Sequence, residues 1–170
     1  MTNDTAANPT RMKPTTTVER TSDLEISVTR TFNATADLVF EAWRKPELFT
    51  RWWTPKSFGI TFVSCEIDLR TGGSYKFVFS HPAAEQPMAF FGKYVDVKPN
   101  ELIVWTNEED VNGPVSSVTF KESNGKTVLT LIERYPTKEA LDEAMANGSS
   151  GTAGAPEQFL LLDELLESLG

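Results

Sequence analysis

The end of the chain, residues 156–169 (PEQFLLLDELLESL), restricts the possible folds more than any other stretch. At helical spacing its apolar side chains fall on one broad arc and its acidic side chains fall opposite. Leu160 is the one apolar residue outside this arc. The arc contains Phe159, Leu161, Leu162, Leu165, Leu166 and Leu169. Such a helix needs an apolar partner of its own size, which the Phe-, Tyr-, Val- and Ile-rich middle of the chain can provide. We therefore expect a curved sheet that grips this helix.

The preceding stretches have the patterns of strands and of two short helices. Residues 24–32 alternate between apolar and polar, as in a half-buried strand. Residues 36–44 and 46–53 predict two short helices that meet at a proline and form a wedge. Short spacers between the later strands indicate antiparallel neighbours. Further strands are expected at 58–69, 74–80, 88–98, 102–107, 115–121 and 126–134. The fold class is thus α+β, with about six to seven strands, two short helices after the first strand and a long C-terminal helix.

Residues 1–22 are rich in Thr, Asn, Ala and Pro, and predict a disordered N-terminal tail because they cannot bury enough apolar surface. Residues 23–170 are expected to form a single domain. Residues 137–147 predict a weak helix, and a flexible Gly- and Ser-rich stretch follows it. The segment 137–155 is either a lid or a plain surface connection.

Charge and composition exclude several classes of partner. The net charge of −8 argues against nucleic acid and anionic membranes, and no apolar run approaches the roughly 20 residues that span a bilayer. The single Cys65 forms no internal disulfide, which fits a cytoplasmic protein. With one Cys and one His (His81), a Cys/His zinc site is close to excluded, and we expect neither a metal nor another cofactor.

Three stretches resemble one branch of the SRPBCC superfamily, which includes START domains and the birch-pollen allergen. They are VFEAWRKPELFTRWWTP (39–55), CEIDLRTGGSYKFVF (65–79) and FFGKYVDVKPNELIVWT (90–106). The branch is the family named after the activator of the heat-shock-protein-90 ATPase, whose bacterial members are often single-domain. The resemblance covers roughly residues 24–169 and implies the helix-grip fold. In that fold the sheet curves around the terminal helix and can leave a cavity between them.

Inward-facing aromatic and apolar side chains are the candidate walls of such a cavity, or else they fill the core. The sheet contributes six candidates, the wedge one and the terminal helix three. They are Tyr75, Phe77, Phe79, Phe90, Tyr94, Trp105, Trp53, Gln158, Phe159 and Leu162.

Three ionisable residues also fall in the inward register, namely Arg30, Asp96 and Glu133. A carboxylate in an apolar cavity has a raised pKa and can act as a general acid or base, whereas a facing Arg would reverse that shift. Each carboxylate is alternatively a solvated rim residue. Arg30 either lies at the sheet margin with its head in water or is a buried cation that pairs a carboxylate.

Three hypotheses for function follow. In the first, the protein is a soluble container for a small hydrophobic or amphipathic molecule, held between the sheet and the C-terminal helix. In the second, it is an enzyme of the polyketide cyclase or aromatase kind that uses Asp96 or Glu133, assisted by Arg30 or Tyr94. In the third, it is an interaction protein, either a homodimer or a co-chaperone-like module, with exposed apolar surface on the lid or the wedge. The first is our prediction, for a monomer or a homodimer.

Overall fold

The computed structural model describes residues 15–108, 113–146 and 153–169. Within them, eight antiparallel strands form one sheet in the order β1-β2-β8-β7-β6-β5-β4-β3. The strands are β1 (Thr17–Arg20), β2 (Glu25–Phe32), β3 (Thr61–Ile67), β4 (Ser74–Ser80), β5 (Met88–Lys98), β6 (Leu102–Thr106), β7 (Val115–Ser123) and β8 (Lys126–Arg134). The α+β helix-grip prediction is confirmed, with one strand more than the expected six to seven.

The helices follow the predicted order. They are α1 (Ala36–Arg44), α2 (Pro46–Phe49), α3 (Lys138–Ala146) and α4 (Ala155–Leu169), with a 3-10 turn at Lys56–Phe58. Helix α2 is shorter than the predicted 46–53, and beyond Phe49 the chain continues in hydrogen-bonded turns, in which the Trp53 N–H donates to the Phe49 carbonyl oxygen at 3.1 Å. We call α1, α2 and the turn up to Trp53 the wedge. Residues 147–152 of the segment predicted as a lid or a surface connection lie outside the described residues, as do residues 109–112.

The additional strand corrects part of the predicted tail. Thr17–Arg20 pairs antiparallel with β2, and Val18 lies opposite Val28. All four residues of β1 are exposed. The strand is therefore held by backbone hydrogen bonds to the edge of β2, which a prediction based on apolar burial does not count. Residues 1–14 of the predicted tail lie outside the described residues.

Helix α4 packs on the concave face of the sheet much as its sequence predicts. Phe159 and Leu162 are buried, and the Phe159 ring meets Phe32 of β2 edge-to-face at 5.7 Å. Leu160 is 52% exposed, in agreement with its place outside the arc. Leu169 is 40% exposed although the arc includes it, since α4 ends there.

Two β-bulges change which side chains face inward. The first lies between Phe62 and Ser64 and puts Cys65, opposite Phe77, on the same face as Phe62. The alternating pattern predicts opposite faces for Phe62 and Cys65. A bulge inserts one extra residue and so reverses the alternation beyond it, without a distinct signal in the sequence. The second, between Tyr94 and Asp96, concerns a candidate site residue.

Candidate functional site

The wedge presses four large aromatic side chains against the concave face. Trp52 is fully buried, and its indole Nε1 donates a hydrogen bond to the Ala42 carbonyl oxygen at 2.9 Å. The Trp43 ring lies 4.9 Å from that of Trp52, and the Phe49 ring lies 4.9 Å from that of Phe77 on β4. The Gln158 side chain of α4 donates to the Trp53 backbone carbonyl. The wedge is thus held by both the sheet and the terminal helix.

A small cavity lies between the wedge and strands β4, β5 and β6. Its volume is about 20 Å³, enough for a single water molecule. The side chains around it come from the wedge, from those strands and from the β3–β4 connection. They are Trp43, Phe49, Trp53, Leu69, Tyr75, Phe77, Tyr94, Ile103 and Trp105. Three of them, Trp53, Leu69 and Trp105, are only half-buried, and we call these three the rim.

The cavity wall includes five side chains with a polar group, three indoles and two phenols. Trp43 Nε1 is buried and has no hydrogen-bond partner in the part of the chain that the structure describes. Burial raises the pKa of Tyr94 well above its ordinary value, so its hydroxyl stays neutral. The Tyr75 hydroxyl lies 2.7 Å from the Thr106 carbonyl oxygen and 2.8 Å from Asn107 Oδ1. The wall therefore combines indole and phenol groups with apolar side chains, and no described carboxylate or cationic group belongs to it.

Gly92 allows Tyr75 to reach Thr106. It lies opposite Tyr75 in the β4–β5 ladder. A Cβ atom at this position would lie 1.8 Å from the Thr106 carbonyl oxygen and 2.8 Å from Tyr75 Oη. Only a glycine therefore permits this close approach of backbone and phenol at the base of the cavity.

Five of the ten predicted wall residues line the cavity: Trp53, Tyr75, Phe77, Tyr94 and Trp105. The prediction placed the cavity between the sheet and α4, whereas no described residue of α4 lines this one. Phe159 and Leu162 are buried between the sheet and the wedge instead, and Gln158 binds the Trp53 backbone.

Two further predicted wall residues lie beyond the wedge. Phe79 is buried and contacts Phe62, whereas Phe90 is on the inward face but 40% exposed, with its ring 5.5 Å from that of Phe79. The prediction missed Trp43, Phe49, Leu69 and Ile103. The apolar side of the wedge helices was the available signal for Trp43 and Phe49, since that side must face the sheet.

The three ionisable candidates do not form a group. Asp96 lies opposite Val104 beyond the second bulge, and so faces away from the inward Tyr94–Trp105 pair. Arg30 lies opposite Leu129, and Glu133 opposite Ile26, four residues further along β8. That spacing separates Arg30 from Glu133 by about 13 Å along the strand. The prediction that Asp96 faces inward is therefore wrong.

Arg30 is a buried cation and not a residue of the sheet margin, since only 3% of it is exposed. Its Nη2 donates to Asp163 Oδ2 of α4 at 3.1 Å, and its Nη1 donates to Thr16 Oγ1 at 3.1 Å. Its partner is thus the terminal helix and neither predicted carboxylate. Glu133 is also buried and accepts a hydrogen bond from the Tyr135 hydroxyl at 3.2 Å.

Metal and thiol chemistry find little support among these residues. The described ranges contain no group of three or more His, Cys, Asp or Glu side chains that could hold a metal ion. Burial raises the pKa of the Cys65 thiol to about 11, so it is not an activated nucleophile. In the same ranges, no helix is long and apolar enough to cross a membrane.

Comparisons with known proteins agree with this architecture. A Rhodobacter sphaeroides structure has a TM-score of 0.78 at 20% identity and covers 91% of this chain and 99% of its own. A Mycobacterium smegmatis structure has a TM-score of 0.76 at 24% identity, with coverages of 92% and 100%. An AHSA1-like protein from Aeromonas hydrophila has a TM-score of 0.65 at 18% identity, with coverages of 86% and 94%. These likenesses concern the fold.

No curated protein matches the sequence. The model of the family described as "Activator of Hsp90 ATPase homolog 1-like protein" matches residues 33–167, which is most of the chain. The resemblance seen in the sequence is therefore confirmed. The protein belongs to the Activator of Hsp90 ATPase homolog 1-like family.

Proposed function

We propose that the protein binds a small hydrophobic or amphipathic molecule in the cavity between the wedge and the sheet. The fold of its family suits a ligand-binding or interaction module. The observation that carries the proposal is a ring of nine mostly aromatic side chains around a space that none of them fills. The space holds no more than one water molecule, so the aromatic lining and the half-buried rim distinguish it from an ordinary packing gap. Ligand sites are typically apolar with a few polar groups.

Binding requires the rim to move. The cavity measures about 20 Å³, whereas sites for drug-sized ligands measure roughly 300–1,000 Å³. Trp53, Leu69 and Trp105 are half-buried, so they can swing outward more easily than the buried walls, with the loss of ring contacts such as that between Trp53 and Phe49 at 4.7 Å. In this proposal the ligand replaces contacts that the rim makes with the buried walls, and Gln158 keeps the Trp53 backbone in place meanwhile.

The geometry favours binding over acid–base catalysis. Among the described residues, the cavity wall contains no carboxylate, imidazole, ammonium or guanidinium group. The cyclase-like alternative would need Glu133, which is hydrogen-bonded to Tyr135 in a second apolar cluster with Ile26 and Leu141. We place the binding activity in the cytoplasm, because the sequence carries a single cysteine and a net charge of −8. The protein would act as a monomer or a homodimer.

The test is native mass spectrometry of gently purified protein, followed by denaturing extraction of any bound molecule. We expect a co-purifying small molecule in the wild type. Leu69→Phe should reduce its occupancy, because a larger rim side chain occupies the space. Leu161→Phe is the matched control, since Leu161 is a half-buried leucine packed on the core away from the cavity. Equal occupancy in the two variants would contradict the location, and a bare protein that also takes up no added aromatic probe would contradict the function.

A further inference from the structure

We propose that the cavity selects ligands that carry a neutral hydrogen-bond acceptor, such as a ketone, aldehyde or ester carbonyl, on an apolar body. The carbonyl oxygen would accept from Trp43 Nε1, with the Tyr94 hydroxyl as a second donor. This inference rests on the proposed binding function and defines the chemical class of the ligand.

The first argument is the unpaired indole. Trp43 is only 5% exposed, and the rings of Phe49, Trp52, Trp53 and Trp105 surround it at centroid distances of 4.9–6.4 Å. Its N–H has no partner among the described residues. Native proteins rarely leave a buried donor unpaired. An indole N–H only donates, so whatever satisfies it from the cavity must be an acceptor.

The neighbouring Trp52 provides an internal comparison. Its indole is also buried in the wedge, but it donates to the Ala42 carbonyl oxygen. Trp52 lies outside the cavity wall and its indole is satisfied, whereas Trp43 belongs to the wall and its indole is unpaired among the described residues. The unpaired donor therefore belongs to a residue that a ligand in the cavity can contact, and it does not reflect poor packing of the wedge as a whole.

The second argument concerns charge. Tyr94, on the sheet side of the same cavity, stays protonated because burial raises its pKa. No described Lys, Arg or His lines the cavity. A carboxylate ligand would thus lose its hydration without gaining a cation, and burying an unpaired charge is far more costly than burying a carbonyl. The wall accordingly favours a neutral acceptor over an anion.

The experiment uses three probes of similar size with isotope-labelled protein. Acetophenone presents a carbonyl, α-methylstyrene has the same shape without an acceptor, and benzoate carries a charge. NMR titrations follow the indole N–H resonances, which single Trp→Phe variants assign. We expect acetophenone to bind about threefold to tenfold more tightly than α-methylstyrene, the value of one neutral hydrogen bond, and benzoate to bind most weakly. The Trp43 N–H resonance should shift more than that of Trp52.

Tyr94→Phe removes one donor and should reduce the preference for acetophenone, without relying on the fold of a Trp43 variant. Tyr135→Phe also removes a hydroxyl from a buried tyrosine, but one in the second apolar cluster, and should leave the preference unchanged. Equal affinity for acetophenone and α-methylstyrene would overturn the acceptor inference and leave the container function intact. Tighter binding of benzoate would overturn the preference for a neutral ligand. Binding of none of the probes would overturn the proposed function itself.

Discussion

The two halves of the concave face are filled in different ways. Under α4, leucine side chains such as Leu162 and Leu166 pack with Phe32 into a core. Under the wedge, the rings of Phe49 and Trp53 meet Phe77 of β4 at interplanar angles of 31° and 54°, and Trp43 meets Trp105 of β6 at 47°. Both halves belong to one continuous core, yet the cavity lies only in the second.

The difference follows from side-chain shape. A leucine has rotatable bonds and adjusts to fill a gap, so an aliphatic interface reaches the density of an organic crystal. Aromatic rings are rigid planes that prefer edge-to-face contacts, which leave spaces when several of them converge. The terminal-helix half therefore stabilises the fold, while the wedge half exchanges some packing density for a space with polar donors.

The largest effect is expected in the terminal-helix half. Leu162→Ala removes a fully buried side chain and should lower the free energy of unfolding by about 2–5 kcal/mol. Urea denaturation followed by circular dichroism measures it. Leu160→Ala in the same helix truncates a side chain that is 52% exposed and should change stability by less than about 0.5 kcal/mol. Similar losses in both variants would show that α4 is not the closely packed element.

The next effect concerns the ion pair that joins β2 to α4 within this half. Asp163→Asn leaves the Arg30 guanidinium, whose side chain is 2% exposed, without its counter-charge. We expect a loss on the order of 3 kcal/mol, the low end for breaking a buried pair, because Asp163 is 21% exposed. Glu25→Gln, which breaks the surface pair with Arg134, should cost less than about 1 kcal/mol. If Asp163→Asn lowers stability as little as Glu25→Gln does, and the loss depends on salt concentration, the Arg30–Asp163 pair is exposed to solvent.

The sequence predicted one half of this comparison better than the other. The α4 arc depends on a local pattern, the spacing of its apolar residues, and could be predicted directly. The outward orientation of Asp96 could not be predicted, because a bulge carries no distinct local signal. The cavity depends on the angles between rings from distant elements. Ile103 on β6 completes the wall beside those rings, and no spacing in the sequence encodes those angles.

A smaller effect is expected in the wedge half from Gly92→Ala. The added Cβ would meet the Thr106 carbonyl oxygen and Tyr75 Oη, so the backbone must shift, at a cost of about 1–3 kcal/mol. Probe binding should weaken as well, because Tyr75 is displaced from the cavity base. Ala89→Gly, an exposed position of the same strand, should cost at most about 1 kcal/mol and leave binding unchanged. If Gly92→Ala lowers stability but leaves probe binding unchanged, Gly92 does not support the cavity.

The smallest effect tests whether solvent reaches the wedge half. Cys65 lies opposite Phe77, and burial raises the pKa of its thiol from 9.0 to about 11. The folded state favours the neutral thiol, so this stabilisation is fully present below pH 9 and is lost as the pH rises through about 11. The Cβ chemical shift of isotope-labelled cysteine should titrate near pH 11 in the folded protein and near 9 in urea, with no such signal in Cys65→Ser. A titration midpoint near 9 in the folded protein would mean that water reaches the inward face of β3. The wedge half would then be open to solvent despite the contacts between its rings.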